Sequence, residues 1–271
     1  MKMKMKMKTN NDDRRYRATI NRGGALLADT KRFLLQWDDA LDLAGNIQRT
    51  LEENSLAKRS RAQTQEVLYQ IRNRYFGDEA IGRGLVALAR VPGFSEVLER
   101  LLYFLSARAD PLIYDTVTEF LQPRYAAGFA DISPEAMREQ VQEWVSAGRT
   151  HVAWNAETTE RVAQGLLATL RDFGVMTGVQ KKRITPPYLP DAAFALIAFL
   201  INQTARSGDK TVAHPDWRLF FLDRSMVERY FVDAHQLHYL TYAAAGNVVR
   251  IDFPARAFEE EIHVIAFRSS R

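Results

Sequence analysis

Cysteine is absent from the sequence, which excludes a disulfide framework and any thiolate metal site and makes a cytoplasmic protein the simplest expectation. Long apolar runs are missing as well. The longest, Ala192 to Ile201, is far shorter than the roughly 20 residues a membrane-crossing helix needs, and it reads as a buried core helix. An excess of one charge also disappears on inspection. Four of the 37 lysines and arginines belong to an alternating Met-Lys leader, Met1 to Lys8, and the remaining chain balances 33 basic against 33 acidic residues. Affinity for an anionic partner therefore has to come from clustered charge, not net charge. The leader has no apolar h-region and is not a secretory signal, so residues 1–13 are expected to be disordered.

Catalytic signatures are equally sparse. No Gly-x-Ser-x-Gly elbow or dinucleotide fingerprint occurs, and Gly208-Asp209-Lys210-Thr211 lacks the first glycine of a phosphate loop. His235 and His238 have a spacing that can share a metal, yet the only acidic neighbour is Asp233 and a third ligand is not evident. Asp38 and Asp39 are adjacent, so on a helix they diverge by about 100°. No catalytic residue, cofactor or metal is expected, and the function is read as non-enzymatic.

What is present is a pair of short helices between Leu43 and Phe76. Leu43, Ile47 and Leu51 recur every four residues on a helix ending near Asn54. A polar turn follows, then Ser60 as an N-cap, then a helix with Thr64, Val67, Leu68, Ile71 and Tyr75 on one face. This is the layout of a helix-turn-helix. Lys58, Arg59 and Arg61 cluster at the turn, Gln63 and Gln65 follow, and Arg72 lies two turns later. In such motifs the start of the second helix enters the major groove, so these residues with Ser60 are candidate duplex DNA contacts. The alternative is a solvated helix start. Three cations there oppose the macrodipole, a cost that an anionic partner would offset.

The rest of the chain predicts a mainly α fold with short β-hairpins. Arg14, Arg15 and Arg17 around Tyr16, followed by Arg22, form a basic arm before a helix lined by Leu26, Thr30, Phe33, Leu34 and Trp37. Gly77 to Gly84 and Pro92-Gly93 are expected to break the helical pattern. Helices are then predicted from Ser95 to Arg108, from Asp110-Pro111 to about Leu121, from Ser133-Pro134 to before Gly148, and from Asn155 to Gly174. Val175 to Thr185 reads as a hairpin whose tip carries Lys181, Lys182 and Arg183, a wing beside the preceding helix or a plain solvated turn. A second helix and hairpin follow: Asp223 caps a helix, strands Leu237 to Tyr242 and Val248 to Phe253 flank the turn Ala243 to Asn247, and the tip lacks cations. Glu259, Glu260 and Glu261 are expected to be solvated. The expected division is an N-terminal helix-turn-helix domain over residues 14–90, a central helical segment over 91–150, and a C-terminal winged-helix-like domain over 151–271.

The order of Tyr16-Arg17-Ala18, Gly23-Gly24-Ala25-Leu26-Leu27, Glu53-Asn54-Ser55-Leu56-Ala57-Lys58-Arg59-Ser60 and Arg74-Tyr75, with the later Pro186-Pro187 and terminal hairpin, resembles the BrxA family of bacterial BREX phage-defence systems. The resemblance implies a mostly helical protein with winged-helix-like parts that binds double-stranded DNA with little sequence preference. It also implies a role beside the methyltransferase and other BREX components in marking host DNA and blocking phage. Two other functions stay open. One is an adaptor whose partners are other BREX proteins, using the neutral body and the apolar second wing with Tyr239 and Tyr242. The other is an RNA-binding helical regulator, for which no aromatic stacking sheet is evident.

Overall fold

Side-chain caps set most of the helix starts. In the computed structural model, which describes residues 14–179, 181–246 and 248–269, the chain folds into α1 (Ile20–Gly23), α2 (Leu27–Leu35), α3 (Leu43–Glu53), α4 (Arg61–Tyr75), α5 (Glu79–Ala89), α6 (Ser95–Ala109) and α7 (Pro111–Asp115). A π-helical turn, Thr116–Leu121, leads into α8 (Gln122–Ala126); then come β1 (Asp131–Ile132), α9 (Pro134–Ser146), α10 (Ala156–Asp172), β2 (Met176–Thr177) and β3 (Lys182–Ile184). The chain continues through α11 (Asp191–Ala205), α12 (Gly208–Val212), a 3₁₀ segment Pro215–Phe220, α13 (Arg224–Gln236), β4 (Thr241–Ala245), β5 (Val248–Asp252) and α14 (Phe258–Ser269). Asp42, Ser60, Asp110, Ser133, Asn155 and Asp223 each accept a hydrogen bond from an amide in the first turn that they open. The leader expected over residues 1–13 and the expected turn residue Asn247 lie outside the described residues.

Four local expectations are corrected. The break expected over Gly77 to Gly84 is confined to residues 76–78, because Asp78 caps α5 and Gly82 and Gly84 within it are sites of close approach. A Cβ at Gly82 would lie 2.2 Å from Phe76 Cδ1, and one at Gly84 would lie 2.4 Å from Phe258 Cδ1. The helix begun at Pro111 continues past Leu121 to Ala126. Pro123 cannot donate to the Glu119 carbonyl and would crowd it, and the widened π turn just before it gives the ring room. The Thr118 carbonyl instead receives the Arg218 guanidinium. Strand β4 starts at Thr241 and not at Leu237, because α13 closes through left-handed His238 with amides 237–239 bonded back to Asp233, His235 and Ala234. The acidic run opens α14, and Glu261 is fully buried there instead of solvated.

Helix α11 is buried from Ala192 to Ile201 and packs on α6, α13 and α14. Phe194 stacks on Trp217 at 4.7 Å and on Tyr230 at 4.9 Å between ring centroids. At the other end Trp37 stacks on Phe76 at 5.3 Å, and α14 packs on α5, so the last helix returns to the first third of the chain. The three-stranded antiparallel sheet has the order β1-β3-β2, with Asp131 and Thr177 flanking Arg183. Strand β1 lies upstream of residue 151 and pairs with β3, completing a sheet whose β2 contacts α10. Strands β4 and β5 pair as a separate hairpin. No described helix is long and apolar enough to cross a membrane.

Candidate nucleic-acid interface

The turn between α3 and α4 is built around Asn54. Its left-handed backbone ends α3, its Nδ2 donates to the Lys58 carbonyl at 3.0 Å, and its Oδ1 accepts from the Lys58 amide at 3.2 Å and the Thr64 hydroxyl at 3.3 Å. Leu56 plugs the turn into the core. Ser60 Oγ accepts from the Gln63 amide at 3.2 Å, while Gln63 Oε1 accepts from the Arg59 amide at 3.3 Å. Ser60 Oγ and Gln63 Oε1 thus act as caps in a near-reciprocal arrangement. Lys58 also braces the fold. Its Nζ pairs with Asp29 Oδ1 of α2 at 2.6 Å in a half-buried contact, which ties the turn to α2.

Beyond the cap, α4 presents Arg61, Gln65, Tyr69, Arg72 and Asn73 to solvent. The spacing of four, four, three and one puts them on a single stripe of about 120°. Arg59 lies at its upper end. Among the described residues, Arg59, Arg61 and Arg72 take part in no ion pair, whereas Arg49, Arg90 and Arg149 each face a carboxylate. Tyr69 and Asn73 were not expected at this surface, although their four-residue offsets from Gln65 and Tyr69 were visible in the sequence.

The basic arm is docked beside this stripe. Tyr16 is buried, forms a parallel bridge with Thr150, and donates its hydroxyl to Asp115 Oδ2 at 2.7 Å. Arg149 bridges Asp115 and Glu119 and lies over the Tyr16 and Trp144 rings, 5.0 and 5.6 Å from their centroids. Burial pushes both the Tyr16 phenol and the Asp115 carboxyl above their usual pKa values. With Tyr16 pinned, Arg15 and Arg17 line a cleft with Thr19, Tyr69, Asn73 and Arg74.

The second predicted surface divides by strand parity. Arg183 and Lys181 point outward, but Lys182 is only 8% exposed and its Nζ donates to the Gly178 carbonyl at 3.0 Å. Lys182 is therefore a brace inside the hairpin and not a free cation. The adaptor surface changes too: Tyr239 is buried, and Tyr242 is half-buried, stacked on Phe231 at 5.3 Å. No group of three or more potential metal ligands occurs among the described residues.

Among curated proteins, none matches the chain. A crystal structure of an uncharacterized protein from Magnetospirillum magneticum is similar with a TM-score of 0.55 at 17% identity, covering 76% of this chain and 98% of that one. At that identity the likeness concerns the fold alone. The BrxA family model matches residues 14–201, a span that contains the arm, the α3–α4 pair and the three-stranded sheet. The chain belongs to the BrxA family and is thereby a BREX-associated protein.

Proposed function

We propose that this BrxA-family protein is a non-enzymatic component of BREX phage defence that holds double-stranded DNA through its sugar-phosphate backbone, with little preference for sequence. The observation that carries the reading is the stripe on α4, where guanidinium groups free of carboxylate partners stand beside a docked basic arm. Unpaired cations aligned along one helix are costly in isolation and are offset by phosphates, whose condensed counterions are released on binding. In this reading α3 and α4 form the helix-turn-helix, with Arg59, Arg61 and Arg72 on phosphates and Gln65 near base edges.

The run α8-β1-α9-α10-β2-β3 has the element order of a winged helix, with Lys181 and Arg183 as the wing's cations. Its third helix, α10, starts with exposed Glu157, and Glu160 follows one turn on, which disfavours insertion of α10 into a groove. Helix α4 is therefore the groove helix, and the wing holds backbone nearby.

The test is fluorescence anisotropy on two unrelated duplexes across a salt series, with protein lacking Met1 to Lys8. Similar affinities with a steep salt dependence are expected. The triple variant Arg59→Glu, Arg61→Glu, Arg72→Glu should bind far more weakly, with a log–log salt slope shallower by about 0.9 for each phosphate that is no longer neutralised. A folded triple variant that binds like the parent removes α4 from the interface.

A protein-adaptor reading, with other BREX proteins as partners, retains one structural support. Val248 is 70% exposed on the outer face of the second hairpin, beside Ala243 and Ala245. Association with a BREX component that survives nuclease treatment and is abolished in Val248→Glu favours that reading.

A further inference from the structure

The cleft between the arm and α4 differs from the stripe beside it, because it is concave. Its volume is about 220 Å³, below the roughly 300–1,000 Å³ of pockets that enclose a whole small ligand, and it matches a phosphorylated sugar better than a complete nucleotide. Arg74 is among its lining residues and is only 7% exposed, its Nη1 donating to the Gly24 carbonyl at 2.7 Å. Arg15 and Arg17 stand at the arm side. Among the described residues the one carboxylate of the cleft, Asp110, is already engaged: Oδ1 accepts from the Leu112 amide at 3.0 Å and Oδ2 from the Thr19 hydroxyl at 3.4 Å. Burial raises the Asp110 pKa, and the charge of Arg74 pulls it back down. The cleft thus sets the Arg17 and Arg74 guanidinium groups beside a carboxylate that is already capped.

Tyr69 forms part of the same lining and is 55% exposed. A tyrosine half in water on a DNA-facing helix offers more than its hydroxyl. It has a flat face on which an unpaired base can stack. A duplex phosphate lies on the outside of a stiff cylinder and does not reach a buried guanidinium in a recess, whereas the phosphate of an unpaired nucleotide can turn into it.

We propose that this cleft is a site for one unpaired nucleotide of a DNA strand, its phosphate held by Arg17 and Arg74, with Asn73 donating nearby, and its base stacked on Tyr69. The protein would then favour duplexes with a single-stranded extension over fully closed ones. The inference rests on the reading that α4 lies against DNA, and the two are separable by experiment.

The test compares full-length protein on a dumbbell duplex, whose ends are closed by hairpin loops distant from the bound region, with the same duplex carrying an open end and a three-nucleotide overhang. Binding to the dumbbell tests the duplex reading alone, and the ratio of the two affinities tests the cleft. The overhang should tighten binding roughly five- to a hundred-fold, the range that stacking one base supplies. Tyr69→Ala should erase that ratio, read against the variant's own dumbbell affinity, Tyr69→Phe should keep it, and Asn73→Ala should reduce it. Equal affinities for the two DNAs overturn the proposal, as does an overhang preference that survives in folded Tyr69→Ala.

Discussion

A methyl group at Gly84 has nowhere to go. The Phe258 ring occupies that space and is itself buried against Phe199, so Gly84→Ala forces the α5–α14 contact apart. Alanine in a helix interior ordinarily gains about 0.5–1 kcal/mol over glycine. Here overpacking reverses the sign, and a loss of about 1–3 kcal/mol is expected in urea unfolding. A variant as stable as the parent would show that α14 does not press on α5 as described.

Glu261 makes a prediction of the opposite kind at the same helix. Its Oε2 accepts from the Ala255 amide at 3.2 Å, its Oε1 has no partner, and burial pushes the carboxyl up to about 7. The unfolded chain titrates near 4.3, so the fold favours the protonated acid. Nothing is lost below about pH 4. Stability falls as pH rises from about 4 to about 7, and a penalty on the order of 3 kcal/mol is complete above that. Glu261→Gln keeps an acceptor for the Ala255 amide and cannot ionise. Its urea midpoint should lie closest to the parent's below about pH 4 and exceed it increasingly up to pH 8, and parallel pH profiles for the two proteins would rule out this titration.

At the scale of the element, the α3–α4 turn separates side chains that hold the fold from those that face outward. Lys58 belongs to the first group through Asp29, and Arg61 to the second. Lys58→Met should therefore lower stability by about 1 kcal/mol, a typical value at the upper end for partly exposed pairs, and leave the DNA salt slope intact. Arg61→Glu should do the reverse. A slope that drops in Lys58→Met would return that lysine to the phosphate-binding set. The wing repeats the division over one residue: period-two alternation sends Lys182 inward between Lys181 and Arg183, although the three look alike in sequence.

At the scale of the whole molecule, the chain closes on itself. Buried apolar residues from Tyr16 to Ile265 form a single cluster, and the Tyr103 hydroxyl reaches across 116 residues to the Leu219 carbonyl at 2.9 Å. Far-UV circular dichroism and tryptophan fluorescence should consequently report one coincident unfolding transition. Two separated transitions would mean that the α5–α14 and α6–α11 contacts do not couple the ends of the chain.

The sequence by itself determined where most helices begin, because a cap such as Ser60, Asn155 or Asp223 acts on amides two or three residues away and needs no distant partner. It also determined the mainly helical class, the α3–α4 pair and the first hairpin, since periodicity and turn chemistry are local. The fate of individual charges was decided elsewhere. Whether Lys58 is free depends on Asp29 in another helix, and whether Lys182 points in or out depends on a register set by pairing with β1 and β2. The glycines of α5 read as breakers until the rings of Phe76 and Phe258 are in place. The arm becomes a wall of a cleft only because Tyr16 bonds Asp115, 99 residues away. Those interactions join residues remote along the chain, and local spacing carries no information about them, so only the tertiary structure could assemble the surface.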